Sequence, residues 1–581
     1  MIKRIASFME GYRRQALLAP LAVALETICE LILPLLMAAI IDDGIQKGDM
    51  GVILKMGGLM LVVSALSLCC GILAARFAAE AAQGLGANLR QAEFEKINQF
   101  SFADIDRFSS ASLITRMTND VTNIQNVVAI CLRMLVRSAV MMLVAIVVAI
   151  TISARLAVYV LIILPVIVIA LVILMKICSP LFRIMQKKID ALNQVIQENL
   201  VGIRVVKAFV RQSHEKEKFK TANDAYTHAG LSAVMRVMLM NPVLMMGISV
   251  ATVLILYNGG ILVIQGELEV GQLSSLLTYI FNILFSVMMV GMALFQYTRA
   301  KACADRIFEV LDAQPDIQNG ADTLSADARP VKGLVEFKNV SFKYRATGTG
   351  DDVLRNISFT AKPGQTVAIV GGTGVGKSTL VNLIPRFYDV TGGQVLVDGE
   401  DVRDYALEDL RKKVGMVLQN NVLFSGTIRE NLLWGDENAT EEEMIQAAKN
   451  AQAYDFIMSF PDGFDTRLEQ GGVNVSGGQK QRLCIARAML RKPEVLILDD
   501  STSAVDSATE SLIRQSFHDN LKDTTVILIA QRISSVRDAD QIIVLEDDTI
   551  AAMGTHDELM ATSPIYQEIY YSQQEGVKDN G

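Results

Sequence analysis

Seven cysteines in 581 residues form no framework. Their number is odd, and none sits in a C-x-x-C pair backed by histidines, so neither a disulfide scaffold nor a structural zinc site is expected. Cys29, Cys69, Cys70, Cys131 and Cys178 lie in or beside apolar runs, Cys303 follows the last of these, and Cys484 falls in a polar region. They read as small buried hydrophobes. With 40 glycines and 12 prolines the chain is neither collagen-like nor of low complexity. Positive charge is scarce where a nucleic-acid partner would need it: residues 331–581 carry a net charge of −12, against +4 for residues 1–330. Phosphate backbones require a basic face, so nucleic acid is excluded as a partner of the polar half.

What the chain has in abundance is apolar length. It is 51% hydrophobic with a mean hydropathy of +0.34, too apolar for an ordinary soluble enzyme and too charged for a pure membrane bundle. Lys and Arg are absent from 15–46, 56–75, 138–154, 156–175 and 237–298. About 20 apolar residues cross a bilayer as one helix, so the last stretch accommodates two. Glu267 and Glu269 fall in its middle beside Gly259, Gly260 and Gly266, which marks a hairpin with a short outside turn. Six spans follow, near 15–41, 56–78, 132–154, 156–178, 238–262 and 272–297. Basic residues gather before the first span (Lys3, Arg4, Arg13, Arg14) and in the segments after spans two and four. By the positive-inside rule both termini face the cytoplasm. The first apolar stretch exceeds a signal-peptide core and lacks a cleavage pattern, so it is expected to be retained. Segments 80–130 and 180–236 are polar and poor in Gly and Pro, and read as helical stalks.

Glu26 and Glu30 are four apart in the first span and therefore share a helix face. They are candidate contacts for a cationic substrate; the alternative is pairing with Arg133 or Arg137, since intramembrane charges commonly pair. A methionine-rich set (Met235, Met238, Met240, Met245, Met246, Met288, Met289, Met292) suits membrane packing.

Beyond an acidic connector the pattern becomes strand and helix alternation. Thr366–Val370 reads as a buried strand, followed by Gly371, Gly372, Thr373, Gly374, Val375, Gly376, Lys377, Ser378 and Thr379 and then a helix. This is G-x-x-x-x-G-K-[ST] in strand–loop–helix context. Its glycines let backbone amides approach the phosphates of ATP, Lys377 reaches the β and γ groups, and Ser378 can ligate Mg²⁺. A second strand, Val495–Leu498, ends in Asp499, placed to hold Mg²⁺ beside the P-loop. Between them, Ser476, Gly477, Gly478 and Gln479 precede an amphipathic helix, an arrangement that presents amides to an anion.

Taken in this order after six spans, the P-loop, the SGGQ signature and the LILDD strand resemble an ABC transporter half of the exporter type, over essentially the whole chain. The resemblance implies a membrane domain of six transmembrane helices with long cytoplasmic extensions (1–320), a connector (321–333), and an α/β P-loop NTPase domain with a helical subdomain (334–581). It further implies that Tyr344 stacks on adenine, that Gln419 links Mg²⁺ to the membrane domain, and that Asp506 is the D-loop acid, although Val505 replaces the more usual Leu. Residues 102–120 and 198–212 resemble the segments that form coupling helices at the stalk tips. In this family ATP lies between the P-loop of one nucleotide domain and the signature of another, so one chain makes half a transporter.

Two departures fall on the same half-site. The position after Asp499 is normally Glu, the general base; here it is Asp500, shorter by one methylene, roughly 1.5 Å, where about 1 Å of displacement can cost a hundredfold in rate. The switch position, normally His, is Gln531, which cannot share imidazole's proton chemistry. Glu469 and Gln470 also depart from the Gly-Glu usual before the signature. The pattern is similar to the degenerate subunit of heterodimeric bacterial multidrug exporters. It implies ATP and Mg²⁺ as cofactors, weak hydrolysis at this chain's own site, and a partner in the cytoplasmic membrane whose intact Glu and His complete the fast one. An ATP-gated regulatory or channel-like protein and a homodimeric exporter are the alternatives.

Overall fold

The computed structural model describes residues 1–320, 332–344, 352–501 and 505–578; most of the expected connector, 321–331, lies outside them. The chain folds as two compact units: Met1–Ile97 with Leu113–Asp312, and Asn98–Ser112 with Ala313–Gly581.

The first unit is helical. Among the described residues six helices are long and apolar enough to cross a membrane: α1 Arg13–Ile45, α2 Met50–Asn98, α3 Ser110–Ile152, α4 Ala154–Val201, α5 Gln212–Ile264 and α6 Val270–Asp312. Five of the expected spans each lie within one of them, and the third, 132–154, runs two residues past the end of α3 to the first residue of α4. Helices α2, α4 and α5 run some twenty or more residues beyond their apolar windows, as polar sequence without helix breakers allows. The turn between α5 and α6 spans five residues, with Gly266 at φ +75°. Asp42, buried in the last, π-helical turn of α1, accepts hydrogen bonds from the backbone N–H groups of Gly271 (2.6 Å) and Gln272 (3.1 Å) at the start of α6. It satisfies donors that the first helical turn leaves unpaired.

The bundle interior is built from small and aliphatic residues of α1 and α3–α6, with Tyr279 at its centre donating its hydroxyl to the carbonyl of Leu31 at 2.5 Å. Outside the apolar stretch of α2, Glu93 is fully buried and neither carboxylate oxygen has a hydrogen-bond partner among the described residues. Burial, with Asp120 adding to it and Arg116 and Arg90 opposing, pushes its carboxyl up to about 7.

The second unit holds two main sheets. Strands β1 (Val335–Phe342), β2 (Leu354–Ala361), β4 (Gly392–Val397) and β5 (Glu400–Asp401) form an antiparallel sheet in the order β2-β1-β4-β5. Strands β3 (Thr366–Gly371), β6 (Val414–Val417), β9 (Val495–Asp499), β10 (Thr525–Ile529), β11 (Gln541–Glu546) and β12 (Thr549–Gly554) order as β12-β11-β3-β10-β9-β6. All but the β11–β12 pair are parallel. Both faces of the parallel sheet are covered, which is why β9 and β10 are continuous apolar runs without alternation. A two-stranded ribbon, β7 (Gly426–Thr427) with β8 (Arg467–Leu468), roots a helical subdomain.

Residues 98–112 belong to this unit. Ser101 caps the short helix Phe102–Phe108 in a reciprocal capping box with Asp104, which also accepts from the N–H of Asp316. Phe102 packs on Phe387 (4.5 Å between centroids), and the Tyr388 hydroxyl donates to Asp106 at 3.0 Å.

Candidate nucleotide site and membrane cavity

Three elements converge at the carboxyl edge of the parallel sheet, where ligands of such sheets bind. β3 delivers the loop Gly371–Gly376, which turns into α7 (Lys377–Asn382). Gly376 sits at φ +91°, and a Cβ there would come within 3.0 Å of the Val353 carbonyl; at Gly371 a Cβ would press to 2.3 Å on the Leu545 carbonyl. Only glycine fits either position. The Lys377 ammonium donates to the carbonyls of Gly371 (2.9 Å) and Gly372 (2.6 Å). Burial lowers its pKa, with Asp500 and Asp499 pulling it back.

Ser378 Oγ donates to Asp499 Oδ1 at 2.9 Å. A hydroxyl and a carboxylate in contact are the hard oxygen donors that Mg²⁺ takes, so the pair fits that ion. Burial raises the Asp499 carboxyl, Ser378 opposes, and Asp500 adds to the rise.

Asp500 is at φ +47°, a left-handed conformation uncommon for a side-chain-bearing residue. Its N–H donates to the Ile529 carbonyl at 3.1 Å, and its Oδ2 accepts from Gln531 Nε2 at 2.8 Å. The two departures from the family pattern are thus hydrogen-bonded to each other. Burial raises the Asp500 carboxyl, while the Gln531 bond and Lys377 hold it back.

Tyr344, expected against adenine, packs edge-on to Phe342 and Tyr388, and its hydroxyl shares a 2.9 Å hydrogen bond with Thr379 Oγ1 on α7. Gln419 is exposed just beyond β6. Ser476 caps α8 (Gly477–Leu490): its hydroxyl accepts from the Gln479 N–H at 3.3 Å, and Gln479 Oε1 accepts from the Ser476 N–H at 2.9 Å. Ser476 and Gly477 are solvent-exposed, and among the described residues no hydrogen bond joins 476–479 to the P-loop. Asp506 caps α9 (Ser507–Asn520) through the Thr509 N–H and hydroxyl; residues 502–504 of the STSAVD stretch lie outside the described residues.

The motifs give no sign of Gln573. On α10 (Pro564–Lys578) its amide grips the switch loop from both sides, donating to the Gln531 carbonyl at 2.7 Å and accepting from the Ile533 N–H at 2.9 Å. No spacing rule leads from an isolated glutamine near a terminus to a loop forty residues away.

In the membrane unit Glu26 and Glu30 meet Arg137, one of the two partners that the sequence offered. Arg137 Nη1 donates to Glu26 Oε1 at 3.0 Å, and Nη2 to both Glu30 oxygens at 2.7 Å. Gly71 on α2 leaves room for Glu26, whose carboxylate oxygen would lie 3.1 Å from a Cβ there. All three charges line a cavity of about 710 Å³.

The transmembrane region of ABC transporters matches residues 16–288 and the ATP-binding domain of the same transporters matches 354–503. The chain is 40% identical to the ABC transporter ATP-binding protein YfiB of Bacillus subtilis, over 98% of each chain. It is 34% identical to YgaD, a protein of the same organism named for multidrug export, over 98% of this chain and 99% of the relative. It shares 34% identity with an ATP-dependent lipid A-core flippase of Syntrophus aciditrophicus, over 84% and 83%. Six membrane-length helices, a P-loop on a parallel sheet and end-to-end similarity leave one conclusion: the chain belongs to the ABC transporters, of the exporter type that fuses transmembrane and ATP-binding domains in a single polypeptide.

Proposed function

We propose that this chain is the degenerate-site half of a heterodimeric exporter that moves amphipathic substrates out across the cytoplasmic membrane, with both termini and the nucleotide domain in the cytoplasm. The observation that carries the reading is the bond between Gln531 and Asp500. A general base must accept the proton of the attacking water as that water's oxygen bonds to the γ-phosphorus and the bond to ADP breaks. A carboxylate one methylene short, with one oxygen already committed to an amide N–H, is set back from the attacking water and held toward Gln531 instead. Gln531 in turn brings no titratable group to the γ-phosphate.

ATP binding is a separate matter. The glycine cradle, Lys377, the Ser378–Asp499 pair and Tyr344 together suit a retained Mg–ATP, with Gln419 the further candidate toward the ion. The intact cap at Ser476–Gln479 suits service to a partner's ATP. The partner's Glu and His would close on that signature as the fast site, and closure of the two nucleotide domains would drive the membrane cavity from inward- to outward-facing. The names of YgaD and the lipid A-core flippase support amphipathic cargo.

The test is affinity purification of the tagged full chain from its native membrane with intact-complex mass determination. A one-to-one complex with a second ABC half supports the proposal. A stable homodimer that hydrolyses ATP overturns it, and ligand-gated conformational change without net substrate movement would favour the regulatory alternative.

A further inference from the structure

The cavity between α1, α3 and α6 holds four formal charges, and they are not equally committed. Arg137 is engaged by three carboxylate oxygens of Glu26 and Glu30. Arg133, one turn earlier on α3, lines the same cavity, is exposed, and among the described residues has no carboxylate within ion-pair distance. It rides on a π-helical turn, Cys131–Leu135, a widened turn of the kind that concentrates at functional sites. A guanidinium keeps its charge at any relevant pH and carries five donors. Left without a counter-ion at the edge of an apolar span, that charge is costly.

The α6 side of the cavity presents Phe281, Phe285 and Met289, interleaved with Asn282 and Ser286. Phe281 and Phe285 stack on each other at 6.2 Å and stay 46% and 43% exposed. Met134, Met141 and Met289 complete a surface that can adapt to varied chains.

We infer that the cavity selects amphiphiles bearing an anionic group, a carboxylate or phosphate held by Arg133 with its apolar body on Phe281 and Phe285. The inference rests on the export reading and reverses the cationic preference that two intramembrane glutamates suggest. A cation would have to share Glu26 and Glu30 with an Arg137 that already donates to three of their four oxygens. An anion meets in Arg133 a guanidinium that no described carboxylate pairs. The volume, about 710 Å³, lies within the range of small-molecule sites.

The test is equilibrium binding to the nucleotide-free, full-length complex in detergent. It uses two fluorescent probes with one alkyl chain, one ending in carboxylate and the other in trimethylammonium. The carboxylate probe is expected to bind more tightly. Arg133→Ala should weaken it about tenfold or more, as expected for loss of a charge-assisted hydrogen bond, and Arg133→Lys should recover part of the loss. The cationic probe should bind equally to wild type and variant. Thermal unfolding of Arg133→Gln checks that the bundle is intact. An acidic phospholipid that co-purifies with wild type and is absent from Arg133→Ala, with probe binding only after delipidation, would identify a bilayer lipid as the occupant; probe binding with no phospholipid retained would identify a free amphiphile, and both support the site. Preference for the cationic probe, or a carboxylate affinity indifferent to Arg133, overturns it. Binding is measured without ATP, so that failure leaves ATP-driven export untouched. Retained binding without ATP-dependent movement would instead count against export alone.

Discussion

Gln531 Nε2 lies 2.8 Å from Asp500 Oδ2, so the residues at the base and switch positions are bonded to each other. Each satisfies the other's polar group, which gives a physical reason for the two replacements to occur together.

In the purified complex, Asp500→Asn should therefore leave ATP turnover almost unchanged. Ser476→Ala should abolish most of it by removing both the α8 cap and the signature hydroxyl. Joint replacement Asp500→Glu with Gln531→His should add turnover that persists when the partner's base is removed. Steady-state phosphate release decides; silencing by Asp500→Asn alone would show that the site hydrolyses normally.

Gln573 makes two hydrogen bonds to the switch loop backbone, at the Gln531 carbonyl and the Ile533 N–H. Losing both in Gln573→Ala should loosen the loop by about 1–2 kcal/mol and speed nucleotide release from this chain's site by up to roughly tenfold. Gln573→Glu keeps only the acceptor and should fall between. Stopped-flow displacement of a fluorescent ATP analogue measures this, and identical off-rates in all three proteins would leave the clamp without a role.

Arg137 bridges two carboxylates that otherwise face each other one helical turn apart. Arg137→Gln should destabilise the membrane unit by about 1–3 kcal/mol, the lower end reflecting its partial exposure. Glu26→Gln with Glu30→Gln in that background should recover most of the loss. Unfolding midpoints in detergent supply the cycle; additive effects would mean that the three residues act independently.

Glu93 carries a pH signature. Its carboxyl is pushed from an ordinary value of 4.5 up to about 7 by burial, so the folded chain holds a proton that the unfolded chain has already released. Stability is greatest below about 4.5 as far as this group is concerned, falls by on the order of a few kcal/mol as pH rises toward 7, and is flat above. Glu93→Gln should remove that slope and raise the unfolding temperature at pH 8. A slope unchanged by the substitution would assign it to other groups.

Much of this architecture is legible in the sequence because its signals are local. Uncharged runs mark the six helices, and the P-loop spacing, the Asp after a buried strand and the SGGQ cap each report on a few consecutive residues. Charge pairing is half legible: the need for a partner follows from placing Glu26 and Glu30 in a bilayer, but selecting Arg137 over Arg133 requires the helices to be set side by side. The Gln573 clamp, the contact of Tyr344 with Thr379 and the grouping of Asn98–Ser112 with the nucleotide domain join residues far apart in sequence. No periodicity encodes them. Glu93 escapes notice because a single glutamate in a polar stretch looks solvated until its neighbours are known.

The docking of Phe102 on Phe387 and of Asp106 under Tyr388 bears on how the chain is made. These partners are separated by about 285 residues, and at synthesis rates of about 5–20 residues per second the short helix emerges roughly 15 to 60 s before its seat exists. Until then Phe102 has no native cover. Completion of the nucleotide domain is thus the last event in translation that finishes a segment begun near the first, and slowing the ribosome between the two should lengthen the interval in which that segment is open to proteases and chaperones.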